Sequence, residues 1–326
     1  MPIEYTAEST ASQIVDDYAH EAKGKTFLVT GVSPGGLGAV FAEKVAKAEP
    51  TLLILAGRNS SKVQQTTNSI TSSYKSVGVR VLSLDLSSLA KARKAAEEVN
   101  GWSDVPNIDV LVNNAGVMAT AYGKTDEGFE TQFGTNHLAP FLFTNLIMGK
   151  LLASSAPRVV NVASDGHRLG PVRFDDYGFQ KGENYNRWYS YGQSKTANML
   201  FALSLAEKLG GKDLLAFSLH PGVIHTNLGD HLNFDSDFEE LHAMDRAFGN
   251  PEGWKGFTFK TLDQGAATHA YAALSPELTE HNGAYLLDSR LADPWKDTVK
   301  PWGTSSIEAE RLWQLSEKLV GQTFSY

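Results

Sequence analysis

Apolar residues recur along this chain in two alternating rhythms. Short runs of aliphatic and β-branched residues predict strands at Thr26–Thr30, Thr51–Ala56, Val79–Leu84, Ile108–Val112, Arg158–Ala163, Leu214–His220 and Ala284–Leu287. Between them, apolar residues three and four apart predict helices at Leu37–Ala48, Lys62–Tyr74, Leu89–Val99, Phe129–Leu152, Ser194–Leu209 and Thr261–Ala273. Strands apolar on both faces, each followed by a helix, pair in parallel beneath helices on both sides. The expected fold class is therefore α/β, a doubly wound parallel sheet of about seven strands.

Two segments break the alternation. Asp165–Trp188 is polar and glycine-rich. Thr226–Lys260 mixes acids with Phe234, Phe238, Met244, Phe248, Trp254, Phe257 and Phe259. Long segments after strand ends in such sheets lie over the ligand crevice. Residues 226–260 thus read as a lid over an apolar substrate, or as ordinary packing against the body or a subunit partner. No Gly/Ser- or Pro-rich linker divides the chain, so 24–326 reads as one domain behind a polar, acidic arm at 1–23.

Composition narrows the function. The net charge of -8, with no Lys/Arg run, argues against nucleic acid and against a polybasic membrane contact. The absence of cysteine removes thiolate chemistry and disulfides. No apolar run is long enough to span a bilayer and no secretory leader is visible, so a cytoplasmic protein is expected. No histidine or carboxylate spacing suggests a metal, and no G-x-S-x-G elbow suggests a hydrolase.

The first strand runs into Thr30-Gly31-Val32-Ser33-Pro34-Gly35-Gly36-Leu37-Gly38 and a helix. Such glycines let backbone turn sharply against a pyrophosphate, whose oxygens the first helical N–H groups bind. Such turns also serve as plain strand-to-helix connectors, but placement after the first strand of a βαβ unit favours a nucleotide site and a Rossmann-type sheet. The second strand ends in Gly57-Arg58-Asn59, with no acid for a ribose 2′-hydroxyl and an Arg ready for a 2′-phosphate, which favours NADP(H) over NAD(H). Asp85, before Leu86, either accepts from an adenine amino group or caps the next helix. In Asn113-Asn114-Ala115-Gly116 the amides can tie strands together while the small residues admit a ribose.

Tyr191 and Lys195, four apart, share a helix face. An ammonium beside a phenol lowers its pKa from about 10, making Tyr191 a candidate general acid/base. Ser164 closes the fifth strand, and Asn136 lies in the helix before it. His167 is either a substrate contact or a structural hydrogen-bonder, while His137 and His220 read as packing.

Taken together, these motifs, with His220-Pro221-Gly222-Val223 and Thr226, resemble the short-chain dehydrogenase/reductase superfamily, specifically its retinol-dehydrogenase-like branch of fungal type, over residues 24 to 290. The resemblance implies that Ser164 polarises a substrate carbonyl and Tyr191 transfers the proton. It implies that Lys195 holds the nicotinamide ribose and that Asn136 anchors a water in a proton relay. Gly31, Ser33, Gly36, Leu37, Gly38, Arg58, Asn59, Asp85, Leu86, Asn114, Ala115 and Gly116 would contact the cofactor, with Pro221, Gly222, Val223 and Thr226 bordering the nicotinamide. The glycine turn is one residue longer than the family's pattern, leaving Gly35 or Gly36 as its middle glycine.

The expected activity is NADP(H)-dependent interconversion of a ketone or aldehyde and an alcohol on a hydrophobic small molecule, in the direction of a carbonyl reductase of secondary metabolism. A cofactor-bound sensor or scaffold, and an isomerase or lyase reusing bound nucleotide, are the alternatives. The superfamily's habits make a homo-oligomer possible.

Overall fold

The computed structural model describes residues 4–250 and 258–326. In chain order its strands are β1 (Thr26–Thr30), β2 (Leu52–Gly57), β3 (Gly78–Ser83), β4 (Val110–Asn113), β5 (Arg158–Val162), β6 (Leu215–His220), β7 (Val223–Ile224), β8 (Phe259–Lys260), β9 (Tyr285–Leu287) and β10 (Arg290–Leu291). Among the described residues, eight form one sheet in the order β10-β9-β6-β5-β4-β1-β2-β3, with β7 and β8 paired separately. Every pairing in the sheet is parallel except β9 with β10. The strand order turns back at β1, which lies between β2 and β4. That reversal opens a crevice at the strands' carboxyl ends.

β1, β4 and β5 are buried along their whole lengths, as apolar runs covered on both faces must be. One apolar layer joins Leu28, Leu111 and Val159 of the sheet to Phe141, Leu200, Leu205 and Trp313. The other joins Phe27, Val29 and Leu55 to Phe41, Val45, Ile70, Ala270 and Leu274. Burying each such side chain contributes about 2 kcal/mol. The α/β, Rossmann-type sheet expected from the sequence is the one observed, and β10 is the strand beyond the expected seven.

Several elements differ from expectation. Residues 1–23 are more than a polar arm: helices Ala11–Asp17 and Ala19–Ala22 bury Ala11, Ile14, Val15, Tyr18 and Ala22 in the second layer. Helix Ser306–Val320, absent from the sequence reading, buries Ala309, Leu312 and Trp313 in the first. The continuous helix expected at Phe129–Leu152 breaks into Thr131–Phe133, a π-helical turn at Gly134–Leu138, Ala139–Leu146 and Met148–Leu152. Pro140 explains part of this, since it has no N–H for the carbonyl of Asn136 four residues back. No helix among the described residues is long and apolar enough to cross a membrane.

Candidate active site

A cleft of about 620 Å³ opens along the carboxyl edge of the sheet. Its walls include Gly31, Ser33, Gly36, Leu37, Arg58, Asn59, Asp85, Leu86, Asn114, Ala115, Gly116, Ser164, Tyr191, Lys195, Pro221, Gly222, Val223 and Thr226. Of the residues to which the resemblance gives a catalytic or cofactor-contacting role, only Gly38 and Asn136 stand outside that lining.

The glycine turn divides its labour. Gly31 has a φ of +74°, and a β-carbon there would lie 2.7 Å from the Ala115 Cα, so the turn closes directly on the end of β4. Gly35, with a φ of +77°, makes the reversal. Gly36 is extended, caps helix Leu37–Ala46 and lines the cleft, so it holds the middle position facing the ligand space. Gly38 lies behind the turn, where a β-carbon would meet Asn114 Nδ2 at 2.5 Å; it serves close packing and does not face a ligand.

Neutral hydrogen bonds fix this wall. Asn113 Nδ2 donates to Asn161 Oδ1 of β5 at 2.9 Å, tying neighbouring strands as expected. The Thr30 hydroxyl accepts from the Asn114 and Ala115 N–H groups, and Asn114 Nδ2 donates to the Thr30 and Gly31 carbonyls.

At the end of β2, Arg58 is exposed and lines the cleft. Lys62, which carries no motif in the sequence beyond its place at the start of a helix, lines the same end of the cleft. Asn59 lines it too, but its side chain caps helix Ser60–Ser73 by accepting from Lys62 N. Asp85 accepts from the Ser87 N–H and hydroxyl and pairs with Lys91. Burial pushes its carboxyl up, but these partners more than offset that and hold it below the usual range. The cap of helix Leu89–Gly101 is Ser88, not Asp85.

Deeper in, helix Arg187–Leu209 starts ahead of the expected Ser194, because the Asn186 side chain accepts from the Trp188 and Tyr189 N–H groups. Tyr191 and Lys195 therefore share a helix face, and both are buried. The Ser164 hydroxyl accepts from Gly166 N at 3.0 Å and neighbours Tyr191, whose phenolate form it favours. Gly166 makes room: a β-carbon there would sit 2.7 Å from the Tyr191 ring.

The expected lowering of the phenol pKa is not what the geometry gives. Burial pushes Tyr191 up to about 12, more than the neighbouring Ser164 hydroxyl pulls it down. Lys195 Nζ lies 5.5 Å from the ring centroid and donates to the Val162 carbonyl at 3.0 Å. Burial brings its own pKa down to about 8.

Asn136 is buried outside the cleft, and its amide is spent within the chain. Its Oδ1 accepts from Val117 N, and its Nδ2 donates to the Val117 carbonyl and the Ser194 hydroxyl. The side chain therefore ties the exit of β4 to the Tyr191 helix. His167 is a structural hydrogen-bonder. Its Nε2 accepts from Lys300 N, which assigns the proton to Nδ1, donating to the Ser164 carbonyl at 2.9 Å. Burial lowers its pKa, keeping the ring neutral. His137 is packed as expected, against Phe133 and Ser316. His220 lines the cleft.

The 226–260 segment forms a turn at Asn227–Gly229, helix Phe234–Ala247 and then β8 against β7. Phe238 and Leu241 face the cleft opposite Trp188 and Leu169. Phe259 stacks on His225 at 3.9 Å. Trp254, Phe257 and the side chain of Phe234 lie outside the described residues.

The model of the family "short chain dehydrogenase" matches residues 25–237. The chain belongs to that family. Mouse retinol dehydrogenase 14 is 33% identical over 308 residues, spanning 91% of this chain and 86% of that protein. Bovine retinol dehydrogenase 12 is 34% identical over 300 residues, spanning 91% and 87%. This short-chain dehydrogenase therefore lies in the retinol-dehydrogenase-like branch. The crystal structure of an uncharacterized protein from Mycobacterium paratuberculosis superposes with a TM-score of 0.70 at 31% identity, covering 94% of this chain and 98% of that one. A short chain dehydrogenase from Escherichia coli, solved in complex with NADPH, shares the fold with a TM-score of 0.59 at 20% identity, covering 83% and 98%.

Proposed function

We propose that this oxidoreductase uses NADP(H) to interconvert a ketone or aldehyde and an alcohol on a hydrophobic small molecule, and that it works as a reductase. The observation that carries the reading is that Ser164, Tyr191 and Lys195 line one cleft together with the glycine turn at Gly31 and Gly36. The chain fits the cofactor: a side chain at Gly31 would collide with Ala115, and Gly36 presents the start of a helix to the cleft. Arg58, joined by Lys62, supplies cations where a 2′-phosphate would lie. When bound, the nicotinamide supplies the hydride to the carbonyl carbon.

This chain's own residues do the rest. Ser164 donates to the substrate oxygen and orients it. Tyr191, protonated at neutral pH like any phenol and more firmly so for its burial, gives its proton to that oxygen as the alcohol forms. Such a phenol suits reduction better than oxidation, which needs a base. Lys195 keeps two N–H donors beyond its bond to Val162, enough for a ribose diol. Met118, Leu169, Trp188, Phe238 and Leu241 give the outer cleft an apolar lining that fits a hydrophobic substrate.

The test is a panel of hydrophobic ketones and aldehydes followed at the NADPH absorbance band with product analysis. One NADPH oxidised per alcohol formed, with NADH serving poorly, is expected. Turnover of the substrate without net NADPH consumption would replace this reading with the isomerase or lyase alternative.

A further inference from the structure

Arg168 follows Ser164 by one helical turn and is almost wholly buried, 8% exposed. Its guanidinium is gripped on the edge by Asp245 of helix Phe234–Ala247, with Nε to Oδ1 at 2.7 Å and Nη2 to Oδ2 at 2.8 Å. Asp245 is completely buried and also accepts from Asn250 Nδ2. On its other side Arg168 Nη1 donates to Asp165 Oδ2 at 3.3 Å and Thr298 Oγ1 at 3.4 Å. Asp165 adjoins Ser164 and lines the cleft. His167, the residue before Arg168, holds the Ser164 carbonyl. A planar guanidinium clamped in a bidentate fork cannot shift without moving its carboxylate partner.

We infer that Arg168 is a positioning residue that joins the lid helix to the turn carrying Ser164, so that the apolar wall over the substrate and the hydroxyl that orients its oxygen are placed as one unit. This deepens the functional reading above and rests on it for the roles of wall and hydroxyl. A second clamp, Arg187 to Glu240 and Asp237, holds the same helix near Tyr191. It is partly exposed, and it leaves the Ser164 turn untouched. Among the described residues, the Asp165–Arg168–Asp245 chain therefore links that helix by charge to the turn carrying Ser164. A ligand that seats Phe238 and Leu241 would settle Ser164 at the same time, and a poorly fitting one would leave both loose.

The experiment compares wild type with Asp245→Asn, which keeps the size of the side chain but loses the carboxylate fork. Amide hydrogen exchange is read with NADPH present and no substrate. Exchange should quicken by about tenfold or more in both the 238–247 helix and the 165–169 turn, because a broken buried pair releases both partners. In turnover, kcat/KM for a long-chain ketone should fall by about 100-fold, and that for a small ketone by far less, since misplacement acts on the substrate the wall must seat. NADPH affinity should stay within about twofold of wild type, as the clamp lies away from the nucleotide wall. Faster exchange in the helix alone, or in neither segment, would overturn the inference. If Asp245→Asn fails to fold, Arg168→Lys keeps the charge, loses the fork and must show the same paired change. Because exchange needs no turnover, a chain inactive on every carbonyl would sink the functional reading and leave the coupling result to stand by itself.

Discussion

On the β1–β4 side of the cleft, position is set by steric closeness and neutral hydrogen bonds: Gly31 against Ala115, Thr30 with Asn114, Asn113 with Asn161. On the side of helix Phe234–Ala247 it is set by charge and aromatic faces: Arg168 with Asp245, Arg187 with Glu240, Trp188 against Phe238. The first wall leaves no space for an added methyl group, whereas the second can exchange its apolar side chains so long as its charges stay paired. A cofactor of fixed shape suits a wall of the first kind, and a varied substrate suits the second.

That contrast breaks most readily at Gly31. Gly31→Ala puts a methyl into the Ala115 backbone at a φ of +74°. The variant should lose about 3 kcal/mol of stability and most of its NADPH affinity, checked by chemical denaturation and fluorescence titration. A variant that bound normally would show the wall to be softer than drawn.

Lys195 sharpens the comparison, because it is a buried cation whose Nζ reaches a neutral partner, the Val162 carbonyl of β5. Its pKa, 10.5 ordinarily and about 8 here, means that the folded chain binds fewer protons than the unfolded chain between those values. Its burial therefore costs stability below pH 8, and the cost fades as pH rises towards 10.5. Tyr191 works in the opposite sense: raised to about 12, it keeps its proton in the fold, so stability falls as pH climbs from 10 towards that value. Lys195→Met should raise the Tm of the cofactor-free protein at pH 7 by several degrees, a gain on the order of 2–3 kcal/mol, while abolishing turnover. An unchanged or lower Tm would show that the ammonium is better solvated than its burial indicates.

At the mouth of the cleft, Arg58→Ala should raise the KM for NADPH about tenfold and leave that for NADH nearly unchanged. Equal changes would remove the 2′-phosphate role. The smallest effect is expected at Arg187, whose clamp is partly exposed. Arg187→Ala should cost about 1 kcal/mol of stability and raise the KM for a long-chain ketone only a few-fold. A loss as large as that of Asp245→Asn would erase the distinction between the two clamps.

The two walls were also unequally legible in the sequence. The glycine turn, Arg58, Ser164, Tyr191 and Lys195 stand at strand ends or at helical spacing, so local pattern placed them on the cleft. The Arg168–Asp245 pair joins residues far apart in the chain, and a lone Arg and a lone Asp carry no local signal. The direction of the Tyr191 shift was misread for a related reason: spacing shows that a lysine is near, but only packing shows that both groups are dry. Helix Ala11–Asp17 was legible and overlooked, since Ala11, Ile14, Val15, Tyr18 and Ala22 keep helical spacing beneath the acidic residues that dominate the segment. β7 and β8, two residues each, are too short for any periodicity to register.

The most direct test of the central claim is single-turnover oxidation of bound NADPH on mixing with a hydrophobic ketone, for wild type and Tyr191→Phe. The account predicts that the variant binds NADPH as wild type does but transfers hydride at least about 1,000-fold more slowly, since the phenol proton is what the forming alcohol needs. Wild-type rates in Tyr191→Phe would contradict it.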